Sequence, residues 1–364
     1  MTVYLYTIIN LISISMLFQF YKEMIQTRNS IPSLNTSPVF LSIGKKTFVV
    51  ISSMQFIFLS TFRDFTVGAD TLTYYRIFEM ISRLEWKFIP KFDMEIGYSI
   101  LNKVIYSLGM DFRVFTMIVS IFIYTVLGIF IFNRSRIPWL SLYLFITLGY
   151  FSLMLNVTRQ FIAIAITILS LKYVSENRAL KFVLVVLLAS LFHKSALIFI
   201  IVYPITKIKI NMKYIMFILF LSILLYFFGS RLVNLLLLLF DEGYTVDSGQ
   251  GRGMYLLLTT ITMLALIIYG LFDKESELQV MLQLMTIAMM LQILTFNLSI
   301  ISRAVNYFSI YMIILIPNSI SLIPSKNIRA LSILIVIVLS FMYYLLLLSG
   351  DVTGVLPYIF MWNK

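Results

Sequence analysis

The chain has no cysteine and a single histidine, His193. The first absence removes structural disulfides, thiolate metal sites and thiol nucleophiles, and the second removes any His-rich zinc cluster. Charge is scarce too: 12% of the 364 residues are Asp, Glu, Lys or Arg, against roughly 25% in a soluble domain. No phosphate-binding P-loop sequence occurs, which excludes nucleotide hydrolysis within the chain. A positively charged leader with a small-residue cleavage site is also missing, so Val3 to Tyr21 reads as a retained first span. There is neither a tandem repeat nor a low-complexity linker.

Hydrophobicity is what the chain has in abundance, at 60% of residues. Its apolar runs fit about ten spans of ~20 residues with short connections and leave no soluble domain over. The expected fold is therefore an all-α polytopic membrane helix bundle: one membrane domain over 1–364, about ten full spans, one re-entrant hairpin, and interfacial helices in the outer loops. The net charge of +12 lies in short Lys and Arg clusters between apolar runs and forms no basic face or arm. It reads as a topology signal and argues against a nucleic-acid partner. Lys22, Arg28, Lys45 and Lys46 against Glu23 place the first loop in the cytoplasm, and the span Thr47 to Phe62 then delivers Arg63 outside.

Residues 63–113 form a long extracytoplasmic loop in which seven Lys or Arg are matched by seven Asp or Glu. Within it, Trp86, Phe88 and Phe92 alternate with Lys87 and Lys91, which suits the membrane interface, and a half-buried helix is expected from Gly97 to Leu108. A second extracytoplasmic loop is expected over 229–253. The run 182–206 has basic flanks on both sides, Arg178 and Lys181 before it and Lys207, Lys209 and Lys213 after it. One tilted span would push one cluster outside. Two half-length helices meeting at Phe192-His193-Lys194-Ser195 would keep both inside, and the charge bias favours this broken or re-entrant pair.

Four polar interruptions carry the candidate chemistry. Arg63, Arg159 and Arg303 each fall at the outer end of a span, and Gln160 and Tyr307 follow the last two closely. An Arg at a helix centre costs roughly 2.5–3.5 kcal/mol on insertion scales, so arginines kept near spans suggest a wet cavity or an anionic partner. Converging guanidinium groups suit a diphosphate, whose oxygens each can grip in a bidentate fork. Singly, each arginine also suits a snorkelling anchor. His193 sits at the proposed break, where an imidazole can take a proton or hold a phosphate; a histidine satisfied within the bundle is the plainer alternative. Asp70 and Glu95 are the other base candidates, while Asp93-x-Glu95 is too sparse for a metal site.

As an ordered series these interruptions resemble the EpsG-type branch of the Wzy polysaccharide polymerases of bacteria. The matching residues are Arg63-x4-Gly68-x-Asp70-x3-Tyr74, Glu95-x-Gly97-Tyr98, Arg159-Gln160, Phe192-His193-x-Ser195-Ala196 and Arg303-x3-Tyr307. Ile96 stands where the family often has proline. The resemblance implies a multi-pass enzyme of the bacterial plasma membrane with its site on the extracytoplasmic face. It would join undecaprenyl-diphosphate-linked oligosaccharide repeat units, as donor and acceptor, into O-antigen, capsule or exopolysaccharide. No cofactor or metal is implied; membrane lipid, a chain-length regulator and a flippase are the implied partners. On this basis Arg159 and Arg303 hold the diphosphate with Arg63 assisting, and Gln160 and Tyr307 line the substrate. His193 is the base or a phosphate contact, and Asp70, Tyr74 and Glu95 position sugars.

Other readings compete. An O-antigen ligase-like transferase would usually carry a larger outer loop, and an acyltransferase more often pairs its histidine with an acid in a short motif, which the residues around His193 lack. A flippase or transporter for the lipid-linked unit tends to have two related halves and midplane charges, whereas these polar residues gather toward one face.

Overall fold

The computed structural model describes residues 1–28, 38–240, 251–272, 276–351 and 353–362. Residues 241–250 of the expected loop 229–253 lie outside the described residues. Among the described residues the secondary structure is helical throughout, apart from one isolated antiparallel bridge between Arg63 and Phe360. Among the described residues four helices are long and apolar enough to cross a membrane, and up to six spans result if two bent pairs each count as one. The expected count of about ten is not confirmed. The run 182–206 divides into an α-helix, a 3-10 helix and a single further turn, none of spanning length. The protein is an all-helical membrane protein.

The chain forms two compact units, the first built from 1–168, 191–193 and 330–364. Its helices are α1 (Thr2–Arg28), α2 (Pro38–Phe62), α3 (Thr71–Arg83), α4 (Ile96–Ser107), α5 (Phe112–Arg134), α6 (Pro138–Thr147), α7 (Tyr150–Asn156) and the start of α8 (Thr158–Ser175). Asp111 sets the start of α5 by accepting from the Arg113 and Val114 amides, and Pro138 opens α6, where its missing N–H is not needed. The core is aromatic: Phe56 lies 5.5 Å from the Tyr124 ring and 5.2 Å from that of Phe151, and Tyr124 bonds Ser60 at 2.9 Å. Such offset and edge contacts add to the burial of large rings. In the outer loop, α3 buries Tyr74, Ile77, Phe78 and Ile81, an i, i+3, i+4, i+7 face. The helix expected from Gly97 to Leu108 is present as α4, one residue earlier at each end.

The C-terminal segment, 353–362, folds back on the loop after α2. Asp64 donates to the Ile359 carbonyl at 2.8 Å, Gly68 to Gly354 at 2.8 Å and Ala69 to Thr353 at 3.0 Å. The Tyr358 hydroxyl donates to Leu59 and that of Tyr4 to Val355, so this segment also ties down α1.

The second unit comprises 169–190 and 194–329. It holds α9 (Ala179–Ser190), a 3-10 helix Lys194–Ile201, α10 (Val202–Ile205), α11 (Met212–Phe240), α12 (Arg252–Phe272), α13 (Ser276–Leu294), α14 (Ser302–Ser309) and α15 (Met312–Ser321); α16 (Lys326–Gly350) then leads back to the first unit. Helix α13 lies against α11, α12, α14 and α15, and its Leu282, Leu284, Met285 and Ala288 are fully buried. Its buried Gln283 and Gln292 donate to the Ile205 and Gly251 carbonyls, as buried polar groups require. The segment after α9 doubles back: Phe182 lies 6.2 Å from Phe199 and 5.6 Å from Tyr203, and Lys207 donates to the Val174 carbonyl and to Asn177. Helix α11 runs unbroken through Gly229, where the sequence suggests a span ending at Phe228 and a separate surface helix.

Gly68 has φ +95°, and a Cβ there would lie 2.8 Å from the Leu155 carbonyl oxygen. Gly68→Ala should cost about 1–3 kcal/mol for the left-handed backbone and the clash. A lower melting temperature in a fluorescence-detected thermal scan is expected; an unchanged one contradicts this docking.

Candidate functional site

The site grows from the start of α4. Glu95 holds the N-cap position, but its carboxylate does not cap the helix. Instead Oε2 takes an ion pair from Arg159 Nη1, and Oε1 lies 3.0 Å from His193 Nδ1. All three side chains are largely enclosed, with 9% of Glu95, 12% of His193 and 21% of Arg159 exposed. Burial raises the Glu95 carboxyl, but the hydrogen bond from His193 and the charge of Arg159 outweigh it, and the group is held at about 2. It is a carboxylate at any ordinary pH.

Two features of the backbone bring these groups together. The Gly97 amide donates to the Leu191 carbonyl at 2.8 Å, and a Cβ at Gly97 would sit 2.8 Å from that oxygen. Only a glycine lets the 191–193 turn approach this closely. Arg159 is aimed from the first turn of α8, just past the break at Val157. Its guanidinium lies 5.8 Å from the ring centroids of both Tyr74 and Tyr98, within cation–π range, and donates also to Met94 Sδ at 3.0 Å. Two polar atoms remain buried with no protein partner, Arg159 Nε and His193 Nε2.

The other candidates fall as follows. Asp70 precedes α3, and its amide donates to Asn156 Oδ1 at 2.9 Å, which joins this loop to the residues just before Arg159. Gln160 is buried. Arg63 differs from expectation. Expected at the outer end of a span, it is only 6% exposed, because the C-terminal segment covers it; Nε and Nη1 lack partners, and the phenols of Tyr124, Tyr4, Tyr358 and Tyr74 lie within electrostatic reach. Arg303 and Tyr307 belong to the second unit, on α14, where Tyr307 is buried and the Ser195 hydroxyl donates to it at 3.4 Å. Among the described residues no group of three or more His, Asp or Glu could hold a metal ion.

Sequence reasoning missed Met94, Asn156 and the pairing of His193 with an acid 98 residues away. Nothing in the local pattern marks Met94 or Asn156. The Glu95-x-Gly97 motif was the available signal, since in the structure one residue binds the histidine and the other receives the turn that carries it.

Gly97→Ala should push the 191–193 turn off α4 and separate His193 from Glu95, with a loss of activity larger than its loss of thermal stability. Equal losses would reduce Gly97 to a packing role. The depressed Glu95 pKa also gives a stability term present above the ordinary value of 4.5 and lost as the pH falls toward 2. The gap in melting temperature between wild type and Glu95→Gln should therefore narrow across that window; a constant gap would contradict the ion-paired carboxylate.

No curated protein and no solved structure matches the chain. Residues 46–360 match the EpsG family, a span that takes in the whole ordered series from Arg63 to Tyr307. The chain therefore belongs to the EpsG family, consistent with an EpsG-type polysaccharide polymerase.

Proposed function

We propose that this protein joins undecaprenyl-diphosphate-linked oligosaccharide repeat units on the extracytoplasmic face of the bacterial plasma membrane. The single observation that carries the chemical reading is the state of His193: Nδ1 faces a permanent carboxylate, while Nε2 is buried and unpartnered. A carboxylate on Nδ1 favours the tautomer with its proton there, which leaves the Nε2 lone pair free to accept one.

In the proposed step the acceptor sugar hydroxyl gives its proton to His193 Nε2 as its oxygen bonds to the anomeric carbon of the donor. The bond from that carbon to the diphosphate oxygen breaks, and the lipid diphosphate departs with the electron pair. The resulting imidazolium is stabilised by Glu95. Both oxygens of Glu95 are engaged, which suits a carboxylate that orients the histidine better than one that takes the acceptor proton itself. Arg159 keeps a partly exposed guanidinium with an unpartnered Nε, positive charge of the kind that offsets a leaving diphosphate. Tyr74 and Tyr98 hold it from the side. Asp70 is suited to a sugar contact, and Gln160, Arg303 and Tyr307 keep the substrate-binding roles that the family resemblance gives them.

His193→Ala should lower polymer formation by about 10²-fold or more, as for a lost general base, and Arg159→Ala and Arg303→Ala should abolish long chains. Each variant should still insert in the membrane and leave single repeat units on the surface glycan. Long chains retained in all three would refute the site, and lipid-linked units stranded inside the cell would point to a flippase.

A further inference from the structure

Within the second unit a groove of about 690 Å³, with none of the candidate site residues in its lining, runs between the first half of α11, the turn after α10 and α13. That volume is in the range of small-molecule sites. Its walls are apolar, with Ile205, Leu221 and Leu291 among the lining residues, and it reaches Leu225. From Lys213 to Leu225 the helix rises about 18 Å, slightly more than one leaflet of a ~30 Å hydrocarbon core.

One end is different in kind. Lys209, Asn211 and Lys213 line it, and both lysines are exposed with no acidic partner among the described residues. Asn211 caps α11 by accepting from the Tyr214 amide at 2.9 Å, so the positive end of that helix points the same way. Lys207, by contrast, is spent on Val174 and Asn177. The lysine-rich end belongs to the cytoplasmic side by the positive-inside bias.

A leaflet-deep apolar slot whose mouth carries two exposed lysines, with no acidic partner among the described residues, is complementary to one ligand class. We infer that this groove binds an anionic phospholipid of the cytoplasmic leaflet, its phosphate between Lys209 and Lys213 and an acyl chain along α11 toward Leu225. The inference does not depend on the polymerase reading. Basic pockets between helices on the cytoplasmic side recognise anionic headgroups on the same principle, each Lys near the surface adding attraction.

The test uses the full-length protein in neutral detergent, with its melting temperature followed on titration with mixed micelles of phosphatidylglycerol, of phosphatidylcholine, or with inorganic phosphate alone. Phosphatidylglycerol should stabilise at much lower concentration than phosphatidylcholine, and phosphate alone should do nothing. Lys209→Gln with Lys213→Gln should weaken the phosphatidylglycerol response by about thirtyfold, the effect of two such lysines, and bring it to the level of phosphatidylcholine. Leu221→Trp, which fills the slot and keeps both lysines, should weaken it as well. Equal responses to the two lipids in the wild type, an unchanged response in the lysine variant, or a response to phosphate alone would each overturn the inference.

Discussion

One carboxylate organises the first unit's polar interior. Glu95 accepts from Arg159 on one oxygen and from His193 on the other, and without it a guanidinium and an imidazole would share a poorly hydrated space with no counter-charge. Breaking one partner of a buried ion pair leaves an uncompensated charge, which is why such arrangements are all-or-none. The same geometry divides the work. The histidine is oriented, the arginine is held by two phenol rings and a thioether, and the carboxylate stays ionised throughout.

The rest of the unit keeps that group in place through backbone contacts. Gly97 admits the 191–193 turn, Asn156 receives the Asp70 amide, and Gly68 fits against Leu155. The C-terminal segment closes over the same loop and buries Arg63 among tyrosines. Residues from nearly opposite ends of the chain, Tyr4 and Tyr358, lie in contact with their ring centroids 5.6 Å apart. The loop that opens with Arg63 is thus a supported element and not a free rim.

Much of this was legible in the sequence, for identifiable reasons. Hydropathy showed a helical membrane protein, and the apolar period of 71–83 and 96–107 shows directly in the buried faces of α3 and α4. The order of the polar interruptions carried the family. What the sequence did not disclose depends on contacts between residues far apart: the burial of Arg63 needs the last dozen residues, and His193 gets its acid from another loop. The sequence suggests a span ending at Phe228, whereas α11 continues through Gly229, where a glycine costs about 1 kcal/mol in a helix, with α13 packed against it.

Because the chain contains one histidine, the central claim can be read from a single side chain. Nitrogen NMR of protein labelled only at histidine, recorded on the alkaline side of the imidazole titration, reports which ring nitrogen carries the proton. The account predicts a proton on Nδ1 and a bare Nε2 in the wild type, with that preference lost in Glu95→Gln. A proton on Nε2 in the wild type, or a tautomer indifferent to Glu95, would contradict it.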